Sequence, residues 1–116
     1  MTLRIFPHTP DVWTIAPDGR LDLAASRAIE DALGDLCDAG HARVVIDMTN
    51  VVYVASAGLR ALLVGLRRAR QSAGDVRLAA LNDRVREVFE MSGFDQVFSI
   101  YPDTAAASAS FAAGPG

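Results

Sequence analysis

Ser56 follows the apolar run "VVYVA" (51–55) and precedes Ala57, Gly58 and the helical pattern "LRALLVGLRRAR". A hydroxyl at that junction admits four chemistries. As a helix N-cap it would accept a hydrogen bond from a free backbone N–H two or three residues on, worth about 1 kcal/mol. As a hydrolase nucleophile it would need a sharp elbow and a base, but "VASAG" lacks the first glycine of G-x-S-x-G. The only histidines, His8 and His41, both precede the serine, whereas the elbow fold places its histidine last. As part of a phosphate-cradling loop it would need flanking glycines and a lysine. All eleven basic residues are arginine, so no lysine exists.

The same absence weighs against Asp47, at the end of "VVIDM", as the phosphoacceptor of a receiver domain, whose chemistry also uses an acidic pair near the N-terminus and a lysine. Asp47 reads instead as a strand-end carboxylate that bonds the backbone of the next loop. The fourth chemistry makes Ser56 itself a regulatory phosphoacceptor. A phosphate at a helix start meets free N–H groups and the positive end of the dipole, so the domain tolerates it, while a docked partner meets about two negative charges. Residue types alone leave the cap and the switch both open.

The elements that must position Ser56 follow from periodicity. "DVWTIAP" (11–17) has strand content and is closed by the turn signal "PDG", with "LRIFP" as a partner edge strand. Ala25, Ile29, Leu33 and Leu36 recur at helical spacing between a cap at Asp22 and a stop at Gly40. "ARVVIDM" (42–48) reads as a central strand buried on both faces. Residues 51–56 read as a loop, and Leu59, Leu62, Leu63 and Leu66 then form the apolar face of a second helix, 56–72, with Arg60, Arg67 and Arg68 between them. "VRLAAL" (76–81) is the next strand, and Asn82 and Gly93 bracket a third helix. "VFSIY" (97–101) is the last strand, and 103–116 is a terminal helix anchored by Phe111, with a fraying Gly-Pro-Gly end.

Alternating strands and helices of this length predict one α/β (α+β) domain over 1–116, with a mixed sheet. At 116 residues, 51% apolar and 22% charged, the chain can bury a core unaided. A net charge of −3 argues against direct nucleic-acid binding. Cys37 is the lone cysteine, which excludes an internal disulfide, and its place in a helical pattern suggests a buried apolar role. The sequence shows no membrane-length apolar run and no signal peptide, so a cytoplasmic protein without membrane insertion is expected.

"VVIDMTNVVYVASAGLRALL" resembles the STAS domain, particularly the free-standing bacterial anti-sigma factor antagonists. The pattern there is an apolar strand, D-L-S or similar, a loop ending in an aromatic and an apolar residue, then D-S-S-G-L or D-S-T-G-L. Asp47, Met48 and Thr49 match the first triplet, Tyr53 and Val54 the loop end, and Ser56, Gly58 and Leu59 the signature. "GRLD" (19–22) resembles the family's G-E-L-D, and "VREVFEMSGFDQVFSIYPD" (85–103) its third helix and last strand. Ala55 and Ala57 depart from the usual aspartate and serine or threonine.

The resemblance implies a mixed sheet of four to five strands with about four helices packed mainly on one face. It implies a non-catalytic protein with no cofactor or metal of its own, which binds an anti-sigma factor that is also a serine kinase. That partner would phosphorylate Ser56 and so disable the antagonist, and a metal-dependent serine phosphatase would restore it. The expected partner surface is Asp22, Tyr53, Val54, Ala55, Ser56, Ala57, Gly58, Leu59 and Arg60. Asp22 could lie near the serine or simply cap the first helix. Arg60 and Arg67, seven apart, share a face that could steer an acidic partner or merely be solvated. The alternative function is a STAS subunit of a larger complex, such as a phospholipid-transport ATPase, docking without a phosphate cycle.

Overall fold

The structure is a computed structural model and describes residues 2–112. Its order is β1 (Thr2–Thr9), β2 (Val12–Leu21), α1 (Leu23–Asp38), β3 (Arg43–Asp47), β4 (Asn50–Val54), α2 (Ser56–Gln71), β5 (Asp75–Ala79), α3 (Asp83–Ser92), β6 (Ile100–Tyr101) and α4 (Thr104–Ala112). A 3-10 turn at Phe94–Gln96 links α3 to β6. The sheet is mixed and six-stranded, in the order β1-β2-β3-β5-β6, with β4 also paired to β2. Only β1 runs antiparallel to its neighbour.

β2 divides its pairing between two partners. Trp13–Ile15 lie beside β3, and Asp18–Leu21 lie beside β4, with a register shift after Gly19 at φ +105°. The expected turn at "PDG" is therefore absent: the strand runs straight through it because β4, read from sequence as a loop, offers a ladder to its second half. Pro17 falls in the gap between the two parallel pairings, a position suited to a residue that cannot donate. The last strand, expected over 97–101, is shorter: Val97 closes the 3-10 turn in helical conformation, and only Ile100 and Tyr101 pair with β5.

β3 is central and its Val44, Val45 and Ile46 are buried, as a strand covered on both faces requires. On one face, Ile15, Leu21 and Ile46 pack with Ile29 and Leu33 of α1, Leu62 and Leu66 of α2, and Val85 and Phe89 of α3. On the other, Val12, Val45 and Ala79 meet Ala107 of α4. That helix is pinned by Arg77, whose guanidinium lies 4.0 Å from the Phe111 ring centre and donates to Ser110 Oγ at 2.7 Å. The Gly-Pro-Gly end lies outside the described residues. No helix among the described residues is long and apolar enough to cross a membrane.

The caps obey local chemistry. Asp22 Oδ1 accepts from Ala25 N at 3.0 Å to open α1, and Asn82 Oδ1 accepts from Val85 N at 2.8 Å to open α3. Gly93 ends α3 in the left-handed conformation, φ +77°, that glycine adopts without strain. Cys37 is buried, and its thiol is pushed up from its ordinary value by desolvation, so it is a packing residue rather than a reactive one.

Phe89 is fully buried and meets Phe94 and Phe98 edge-on at 6.4 and 6.1 Å. Phe89→Ala should lower stability by about 3–5 kcal/mol. The measurement is the urea unfolding midpoint; a midpoint within error of the natural chain would show that the cluster does not hold the third helix.

Candidate functional site

β2, β4 and β5 all point their C-terminal ends toward one pole, and α1, α2 and α3 start there. This is the end of a parallel sheet at which loops commonly carry function. The pole is assembled around a backbone contact: Ala55 N donates to Leu21 O at 3.0 Å, continuing the β2–β4 ladder by one bond. α2 begins at the next residue. A Cβ on Gly58 would lie 2.9 Å from the Leu21 carbonyl oxygen and 3.0 Å from its Cβ, so only glycine lets the first turn approach β2 this closely.

The ladder decides what Ser56 is. Ala55, with φ −82° and ψ 167°, occupies the N-cap and supplies no side-chain acceptor; Ser56 is the first residue inside the helix. The cap expected of Ser56 is thus one residue out of place, because the β2–β4 pairing fixes where the helix starts. Among the described residues the Ser56 hydroxyl makes no hydrogen bond, and the residue is exposed. The fold leaves this hydroxyl uncommitted.

Its neighbours are held in place around it. Asn82, besides capping α3, donates from Nδ2 to Val51 O at 3.0 Å and so ties β4 to the third helix. Asp47 accepts from Thr49 N at 3.1 Å, the loop-bonding role its position suggested. Arg20 lies over the Tyr53 ring, 4.3 Å from its centre, bracing an aromatic side chain that remains exposed. His41 stacks on Trp13 at 4.9 Å, where β3 begins, and His8 follows Pro7, which pairs with Trp13; both lie at the other end of the sheet from Ser56. Neither histidine reaches the hydroxyl, so the serine–histidine pairing of hydrolase chemistry is not assembled there. Among the described residues no group of three or more His, Cys, Asp or Glu could hold a metal ion.

The chain matches the STAS domain over residues 5–107. It belongs to the STAS domain family. It is 39% identical over 93 residues to BtrV of Bordetella bronchiseptica, a candidate anti-sigma factor antagonist, covering 80% of each chain. Its fold is similar to that of tm1081 from Thermotoga maritima, also a candidate anti-sigma factor antagonist, with TM-score 0.86 at 18% identity over 93% of this chain and 92% of that one. It is similar as well to SpoIIAA in its unphosphorylated form, with TM-score 0.75 at 18% identity over 97% and 99% of the two chains. SpoIIAA has also been solved phosphorylated, where the TM-score is 0.73 at 19% identity over 93% and 98%.

The expected surface of this STAS domain separates by burial. Tyr53, Ser56, Arg60 and Asp22 are exposed at the pole, and Ala55, Ala57 and Leu59 are partly so. Val54 and Gly58 are buried and serve packing. Asp22 is committed to its cap, and the groove it lines with Gly19 and Arg20 is not the one that contains Ser56. Val52, within the 51–56 segment expected to meet a partner, is exposed by 56%; sequence reasoning missed Leu23, exposed by 59%, because nothing in a local pattern marks an apolar residue as outward when it opens a helix. It also missed Arg27, which α1 brings beside Ser56.

If Ala55 is the N-cap, Ala55→Ser should raise stability by about 1 kcal/mol, while Ser56→Ala should change it by no more than about 0.5 kcal/mol. Chemical denaturation of the two variants checks the assignment. The reverse pattern, loss on removing the Ser56 hydroxyl and no gain at 55, would return the cap to Ser56.

Proposed function

We propose that this STAS domain is an anti-sigma factor antagonist, a non-catalytic protein that binds a kinase-type anti-sigma factor and is switched off by phosphorylation of Ser56. The observation that carries the reading is the uncommitted, exposed hydroxyl in the first turn of α2, at the pole where Leu23, Val52 and Tyr53 also leave apolar surface exposed. Similarity to BtrV supports the antagonist role, and SpoIIAA, a structural neighbour known in unphosphorylated and phosphorylated forms, shows that this fold accepts the modification in that protein.

The unmodified pole offers a partner the apolar side chains of Leu23, Val52 and Tyr53 and an uncharged hydroxyl, with Arg27 and Arg60 beside it. The partner kinase binds ATP and moves its γ-phosphoryl group to Ser56 Oγ; the bond to ADP breaks and the hydroxyl proton leaves. The product places about two negative charges and a larger group at the middle of the interface, while free N–H groups of the first turn make the change tolerable to the domain itself. Desolvating that charge without a partner cation opposes docking. A metal-dependent serine phosphatase then hydrolyses the phosphate ester and returns the hydroxyl.

Intact mass of the protein from its native cells tests the reading, with Ser56→Ala and phosphatase treatment as controls, followed by affinity for the anti-sigma factor recovered with it. The expected result is a phosphatase-sensitive gain of one phosphate, absent from Ser56→Ala, and binding weakened at least tenfold, or about 1.4 kcal/mol, by the modification. A chain unmodified under every growth condition, or one that binds equally well when phosphorylated, would overturn it.

A further inference from the structure

A groove of about 390 Å³ lies between the first turns of α1 and α2, walled by Ser56 and Arg60 from one helix and by Arg27 and Glu30 from the other. Arg60 is one helical turn beyond Ser56. An anionic group at i with a cation at i+4 is the favourable order for a pair along a helix. Arg27 approaches the same space from the facing helix, so an anion on Ser56 would be reached from two directions.

Both guanidiniums are available. Among the described residues, Arg68 pairs with Asp38, and Arg70 and Arg77 pair with Asp75, whereas neither Arg27 nor Arg60 has an ion-pair partner. The groove also lacks an acidic residue that the family pattern would place beside it: position 55 is alanine where that pattern has aspartate. Of the carboxylates nearby, Asp22 is turned to Ala25 N, and Glu30 alone shares the groove. A phosphate carries about two charges and three acceptor oxygens, matched to the planar fork of a guanidinium, and so competes well against one carboxylate.

We propose that the phosphate on Ser56 is held within the chain by Arg60 and Arg27, which form a clamp across the groove between α1 and α2. The clamp rests on Ser56 being the phosphorylated residue. It gives the modification a second effect beyond adding negative charge: two cations that an approaching partner would meet in the unmodified protein become engaged, and the groove between the helices is filled. Arg60 and Arg27 are here residues that read the modification, distinct from the apolar side chains that dock a partner.

The test places phosphoserine at 56 during synthesis, by an expanded genetic code, and follows the second ionisation of the phosphate by phosphorus NMR at low salt. In the otherwise natural chain that ionisation should lie below the ordinary value near pH 6. In the Arg27→Gln/Arg60→Gln chain it should rise by about half a unit or more, while Arg67→Gln, on the same helix but outside the groove, should leave it unchanged. Backbone N–H groups act alike in all three chains, so the difference between them isolates the arginines. Amide spectra of each variant confirm that it is folded. An ionisation equal in the natural chain and the double variant, or shifted as much by Arg67→Gln, overturns the clamp. Because no kinase is needed to prepare the sample, that result would leave the switch standing, and a chain unmodified in native cells would overturn the switch without altering the titration.

Discussion

The carbonyl of Leu21 is the constraint on which the pole depends. It accepts the Ala55 amide, which extends the parallel β2–β4 pairing to its last bond, and it stands 2.9 Å from where a side chain on Gly58 would begin. One atom thus fixes the end of β4, the residue at which α2 starts, and how near that helix lies to β2. Moving the helix start by a residue would break the bond or drive the first turn into the strand. The exposed serine is a consequence of this registry, and so is the groove that forms where α1 and α2 leave their strands side by side.

The rest of the fold serves that end without sharing its surface. Asn82 reaches from the third helix to the Val51 carbonyl and steadies β4 from below. α4 closes the opposite face through Ala107 and the Arg77–Phe111 stack, so the sheet is covered there without any element crossing the pole. The arginines of α2 are divided between tasks: Arg68 and Arg70 tie the far end of the helix to Asp38 and Asp75, which leaves Arg60 at the near end beside the serine. Such exposed pairs contribute little stability; their value is in which guanidinium they leave unoccupied.

Much of this was legible in the residues. The apolar periodicity of Ala25–Leu36 and Leu59–Leu66 gave both long helices, Asp22 marked the start of α1, and Asn82 and Gly93 marked the two ends of α3, because those signals act over three or four residues. The resemblance at Asp47–Leu59 pointed to the same pole that the structure offers as the candidate site. Partners distant in sequence were not legible. "NVVYV" became a strand, and β2 ran through Pro17–Gly19, only because each found the other across more than thirty residues. The same pairing shifted the cap from Ser56 to Ala55, a one-residue difference that no local pattern encodes. Arg27 and Ser56 lie on different helices, and Val54 and Gly58 could be told from their exposed neighbours only once the packing was known.

The helix start without a side-chain acceptor has an effect on the life of the protein as well as on its shape. Ala55 gives the opening amides of α2 no side-chain acceptor, so the first turn is a local weakness at the pole. An added phosphate would supply the acceptor the alanine lacks. Under the proposed switch the phosphorylated form would be the sturdier of the two and the unphosphorylated form the one that frays first, so that chaperones and proteases, which act on opened chains, would set a limit on how long the latter lasts.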